Sequence, residues 1–103
     1  MKGKKTYMKV TVTWASKFKA VMGDHVPVVL EIEKGTLRDA LEALSRHYGE
    51  VFENMIFDPQ TKKVKRSNLI LLNGQSSLNL RDGLGSELKD GDEIALMPVL
   101  TGG

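Results

Sequence analysis

Residues 36–48 carry a helix with both ends marked, and that one element governs what the rest of the chain can do. Thr36 is a favourable N-cap, and Asp39 three residues on supports the first turn. Leu37, Leu41, Leu44 and Tyr48 then recur at helical spacing and make one apolar stripe. Arg46 and His47 fall in the last turn, where positive charge suits the helix dipole, and Gly49 is a natural stop. A helix with a single apolar stripe needs an apolar layer to bury it.

The flanking segments supply a sheet. In residues 7–14, Met8, Val10, Val12 and Trp14 alternate with Lys9, Thr11 and Thr13, the period of a half-buried strand. Residues 26–33 alternate again, with Val28, Leu30 and Ile32 on one side and Glu31 and Glu33 on the other. Gly23-Asp24 signals a turn in the longish loop between them, so the two runs read as an N-terminal hairpin. After the helix, Val51, Phe52, Met55 and Ile56 have the spacing of a short second helical segment, which Asp58-Pro59 breaks. Residues 60–67 are polar and basic, a loop or a ragged edge hairpin. Residues 69–72 are uninterruptedly apolar, consistent with an interior strand buried on both faces. Asn73-Gly74 is the strongest short turn signal. Leu78 and Leu80 fit a brief strand, Arg81-Asp82-Gly83-Leu84-Gly85 a loop or single helical turn, and Asp90-Gly91-Asp92 a tight turn. Residues 93–99 read as the last strand, with Ile94 and Leu96 facing one way and Ala95, Met97 and Val99 the other. Pro98 has no N–H for a ladder, so this strand should fray there.

This order predicts an α+β fold: a mixed sheet of four to five strands with one main helix packed across it, the β-grasp arrangement. First and last strands are expected to be central neighbours. The domain is expected to span residues 7–99, with residues 1–6 a flexible N-terminal segment and 100–103 a flexible tail ending in Gly-Gly.

Composition removes several function classes. The 15 basic and 13 acidic residues are interspersed, and a net charge of +2 is too mild for a nucleic-acid partner. The basic runs Lys2, Lys4, Lys5, Lys9 and Lys62, Lys63, Lys65, Arg66 read as solvated tail and loop; the sharper alternative is a weak electrostatic footprint for an acidic partner. The absence of cysteine excludes disulfides, thiolate metal sites and a cysteine nucleophile, and fits a cytoplasmic location. No apolar run approaches the ~20 residues of a membrane helix, and no apolar stretch follows the basic N-terminus as a secretory signal requires. His25 and His47 are isolated, and Asp90, Asp92 and Glu93 read as a solvated turn in preference to a cation site. Gly83-Leu84-Gly85 lacks the Lys-Ser/Thr of a phosphate loop. Trp14 and Tyr7 read as packing residues. These residues offer no catalytic constellation, and no metal or bound cofactor is expected.

Two glycines at the end, Gly102 and Gly103, arise by chance in roughly one chain in 200, and the alternative reading is a frayed terminus. They coincide here with a Gly35-Thr36-Leu37 helix entry, an Ile70-Leu71-Leu72-Asn73-Gly74 strand and turn, and a Leu88-Lys89-Asp90-Gly91-Asp92-Glu93 turn. Together these resemble the sulfur-carrier branch of the ubiquitin-like proteins. That branch includes the small subunit of molybdopterin synthase, the thiamine-pathway sulfur carrier, the ubiquitin-related modifier and the small archaeal modifier proteins. The tail Met97-Pro98-Val99-Leu100-Thr101-Gly102-Gly103 departs from the Pro-Pro-Val-Ser-Gly-Gly-like ending of the molybdopterin-synthase subunits.

The resemblance implies that Gly103, preceded by Gly102, is the acyl attachment point, and that the chain is a protein cosubstrate and not an enzyme. An E1-like adenylating enzyme consumes ATP to activate it, and the product is a thiocarboxylate for a sulfur-acceptor synthase or an isopeptide bond to a target lysine. A third reading is a non-covalent partner domain with an idle tail. Glycine suits the chemistry because a tail without Cβ atoms threads a narrow channel and leaves its carbonyl open to attack. Ala95, Met97 and Val99 share the face away from the assigned core, and with Leu100 and Thr101 they are the expected partner-binding residues. The alternative is that a second layer, or the 60–67 loop, covers that face.

Overall fold

The N-terminal hairpin forms as its alternation demands. In the computed structural model, which describes residues 7–24, 27–33 and 35–99, strand β1 (Met8–Trp14) buries Val10, Val12 and Trp14. It pairs antiparallel with β2 (Val28–Ile32), Val10 opposite Leu30. The first strand thus begins at Met8, and Tyr7 is half exposed, not packed. The connection is not the open loop expected. It contains a 3-10 turn (Ser16–Phe18) and a one-turn helix, α1 (Lys19–Met22). Phe18 and Met22, four residues apart, are buried in the core. So short a helical stretch cannot establish a period in sequence. The indole N–H of Trp14 donates to the Gly23 carbonyl at 2.8 Å and closes the insertion.

Helix α2 (Leu37–Tyr48) starts from a capping box. The Thr36 hydroxyl accepts from the Asp39 N–H at 3.3 Å, and the Asp39 carboxylate accepts from the Thr36 N–H at 2.9 Å. A Cβ on Gly35 would lie 2.7 Å from Asp39 Oδ2 and 2.9 Å from Asp39 Cβ, so glycine there makes room for the carboxylate that closes the cap. The stripe buries Leu37, Ala40, Leu41 and Leu44 against the sheet, and each fully buried leucine contributes roughly 1.5–3 kcal/mol. Gly49, at φ +92°, breaks α2 and starts α3 (Glu50–Ile56), which buries Phe52 and Ile56. The Tyr48 ring bridges the elements, 6.4 Å from Trp14 and 5.9 Å from Phe52.

The end of α3 is sealed by the next strand and the loop before it. Asn68 Nδ2 donates to the carbonyls of Met55 (2.6 Å) and Ile56 (3.4 Å), and the Lys65 N–H donates to Ile56 at 2.8 Å. Carbonyls that a helix C-terminus leaves orphaned are thereby satisfied. Asp58 organises residues 58–63. Its carboxylate accepts from the Gln60 and Thr61 N–H groups at 2.8 and 3.1 Å, and these bonds, Thr61's foremost, hold its pKa below the usual 3.8. Val64 packs on the core.

Five strands follow the order β2-β1-β5-β3-β4, with β3 (Asn68–Leu72), β4 (Gln75–Ser76) and β5 (Glu93–Pro98). First and last strands are central neighbours and run parallel, Val12 opposite Ile94, while β5 runs antiparallel to β3. The mixed sheet with its helix laid across one face is the β-grasp arrangement. Asn73 and Gly74 both have positive φ, 52° and 84°, the backbone a tight β3–β4 hairpin requires. Two expectations change here. Strand β3 buries one face only: Asn68, Ile70 and Leu72 are buried, Leu69 and Leu71 half-buried. The brief strand is Gln75–Ser76, and Leu78 and Leu80 lie outside it, Leu78 within a 3-10 turn (Ser77–Asn79).

Candidate functional site

The last strand leads out of the middle of the sheet, flanked by β1 and β3 on either side. Its entry is held by the turn before it. The carboxylate of Asp90 accepts from the Lys9 N–H at 2.8 Å. That of Asp92 accepts from the Lys89 N–H at 2.8 Å and from Asn73 Nδ2 at 3.0 Å. The Glu93 N–H donates to Asn73 Oδ1 at 2.9 Å. Both aspartates are thus engaged by protein donors and tie β5 to the start of β1 and to the β3–β4 turn. Among the described residues no group of three or more potential metal-ligating side chains occurs.

Side chains of β5 alternate between two environments. Ile94 and Leu96 are fully buried against the helices. Ala95 and Met97 point the other way and are half-buried, and Val99, just past the strand, is 39% exposed. Pairing brings further apolar residues beside them. Leu71 lies opposite Ala95, Leu69 opposite Met97, and Thr13 of β1 flanks Ala95 from the other side. The result is a partly solvent-open apolar strip across β3 and β5, leading to Val99. From the 60–67 loop, Val64 packs on the core, while Val64, Lys65 and Arg66 border the strip at Leu69 and Val99.

Of the residues singled out in sequence, Ala95, Met97 and Val99 are therefore brought together, while Leu100, Thr101, Gly102 and Gly103 lie outside the described residues. So do His25 and residues 1–6. Leu69 and Leu71 were missed as members of the strip. Their signal was present: four apolar residues in a row must place two on each face, and a single helical layer covers only one of them.

No helix among the described residues is long and apolar enough to cross a membrane. The ThiS family model matches residues 23–103. No curated protein sequence matches the chain. The solved structure of small archaeal modifier protein 1 from Methanosarcina acetivorans is similar at 28% identity, with a TM-score of 0.78 over 95% of this chain and 99% of that one. Urm1 from Trypanosoma brucei shares the fold at 19% identity, with a TM-score of 0.72 over 97% of this chain and 100% of that one. A chain of the BexX/CysO complex of Amycolatopsis orientalis also shares it at 21% identity, with a TM-score of 0.70 over 91% of this chain and 99% of that one. A family match through four-fifths of the chain, on a β-grasp sheet whose central last strand leads to Gly102-Gly103, makes this protein a member of the ThiS family, among the ubiquitin-like sulfur carriers.

Proposed function

We propose that this chain is a sulfur carrier whose Gly103 carboxylate is adenylated by an E1-like enzyme and converted to a thiocarboxylate for molybdopterin, thiamine or tRNA thiolation. The observation that carries this reading is the family match extending through Gly103, on a strand that leaves from the sheet centre. In the first step a Gly103 carboxylate oxygen attacks the α-phosphorus of ATP and pyrophosphate leaves. A partner persulfide then attacks the acyl-adenylate carbonyl and AMP leaves. A second partner thiol cleaves the resulting S–S bond, becomes part of a disulfide, and releases the thiocarboxylate. This chain has no cysteine, so every thiol comes from partners. Its own residues present the tail and dock, and the partner closes over the carbonyl to exclude water, since an acyl-adenylate hydrolyses.

The apolar strip Ala95, Met97, Leu69 and Leu71, continued by Val99, is the docking face in this reading. It sits at the root of the tail, so a partner gripping it holds the reacting carbonyl at a fixed reach. Leu100 and Thr101 span from that face to Gly102-Gly103. The chain is a cosubstrate in this scheme, and ATP is consumed at the partner.

Similarity to a protein named a small archaeal modifier supports a second reading, in which the activated Gly103 passes to a target lysine. Both readings share the first step. The test is ATP–pyrophosphate exchange with the host's E1-like enzyme, comparing the intact chain with one lacking Gly102-Gly103. Exchange that depends on the two glycines is expected; equal exchange without them would overturn both readings. Mass spectrometry then separates the two. A mass gain for sulfur replacing oxygen marks the carrier, and Gly-Gly remnants on other proteins' lysines mark the modifier.

A further inference from the structure

Strand β3 has an edge that its hairpin partner does not cover. Strand β4 pairs with Leu71 and Leu72 only, so Asn68, Leu69 and Ile70 have β5 on one side and no described strand on the other, although the Asn68 N–H already donates to the Lys65 carbonyl at 3.1 Å. A groove of about 600 Å³ lies along this open edge. Residues from both faces of β3 line it, Asn68 and Ile70 from the core side and Leu69 from the other, which places the groove at the edge and not over a face. Leu78, Leu84, Val64 and Val99 also line it.

Three features define what this groove fits. The walls are apolar, and Leu78 stands 89% exposed among them. The charged side chains lining it are Lys65 and Arg66, with no carboxylate. The edge itself is the third: beyond Leu71 and Leu72, no described strand pairs with β3 on the side away from β5. Apolar walls, an unpaired strand edge and a cationic rim together fit an extended peptide that adds to the sheet, with apolar side chains and at least one carboxylate.

We propose that the open edge of β3 is a second docking site, adjoining the Ala95–Met97 strip at Leu69 and Val99, that takes an extended apolar and acidic segment of a partner protein as an added strand. A partner engaging both surfaces holds this chain on two sides of the tail root, because Val99 lines the groove and also continues the strip. The inference does not depend on what the tail carries.

The test is selection of random short peptides displayed on phage against the full chain, followed by amide-shift mapping with the synthetic winners. Expected winners combine aliphatic residues with Asp or Glu and shift Asn68, Leu69, Ile70 and Leu84 while leaving Thr13 and Ala95 unmoved. Leu78→Asp, and separately Lys65→Glu with Arg66→Glu, should each weaken them by about tenfold or more. Leu78 is too exposed for its replacement to unfold the chain, which keeps the result interpretable. Failure to enrich any peptide, winners without acidic residues, or shifts centred on Ala95 would each overturn the proposal. So would self-association lost in Leu78→Asp, which would make the occupant a second copy. Binding that tightens about tenfold when residues 100–103 are removed would make it the chain's own tail, and would overturn it too.

Discussion

The backbone N–H of Val99 donates a 2.9 Å hydrogen bond to the carbonyl of Ser67, one residue beyond the end of β5. Pro98, which has no N–H, is bracketed by partners: it lies opposite Asn68, and the next donor along the chain is already engaged. This bond extends the order of the sheet to the root of the tail.

Val99→Pro deletes that donor while leaving an apolar side chain. It should cost about 1 kcal/mol in urea denaturation, the net worth of one backbone hydrogen bond. On the proposed function it should also slow adenylation of Gly103. An unchanged midpoint with unchanged activation would mean that the Val99–Ser67 bond anchors nothing.

Met97→Asp puts a charge on the strip at a half-buried position, opposite Leu69. The fold should survive, with native circular dichroism, because Met97 points away from the core. On the proposed function, affinity for the E1-like enzyme should fall by about tenfold or more, as when a charge is forced into an apolar contact. Titration calorimetry reads this directly. Binding equal to that of the parent chain would remove the strip from the docking face.

Thr36→Ala removes the hydroxyl that caps α2 and should destabilise the protein by about 1 kcal/mol. Gly35→Ala should act through the same cap, because its new Cβ meets Asp39 at 2.7 Å. Combining the two should cost less than their sum, since each disables one shared device. Full additivity in thermal unfolding would show that Gly35 matters for another reason.

Asp58 links the 58–63 turn to pH. Its folded pKa lies below the usual 3.8, held there first by the Thr61 N–H and then by that of Gln60, with Lys65 adding a smaller attraction. Folding therefore favours the ionised form. The stabilisation is fully present above 3.8 and is lost as pH falls through the lower folded value. Parent and Asp58→Ala should differ by a constant amount at neutral pH and converge in acid. A gap that widens as pH falls would reverse the assigned sign.

The elements with long or capped patterns were legible in sequence. The stripe from Leu37 to Tyr48, its Thr36 start and its Gly49 stop needed no tertiary information, because local hydrogen bonding and a repeated apolar spacing define them. The same holds for the alternation of β1 and β5 and for the Asn73-Gly74 turn, where both residues take positive φ. The candidate tail residues Gly102 and Gly103 lie outside the described residues, so the structure leaves that reading where the sequence put it.

Only the tertiary structure decided what surrounds these parts. The helical turns that bury Phe18 and Met22 were too short to carry a period, and they are fixed by the core they fill. Whether Leu69 and Leu71 were core or surface depended on how many layers the fold stacks on the sheet, a property of no local segment. The open edge at Asn68, Leu69 and Ile70 exists because β4 stops after Ser76 and Leu78 turns away into solvent. Local periodicity therefore specified the elements and their ends. Strand order and layering, which bring together residues distant in the chain, specified which of their faces remain open to a partner.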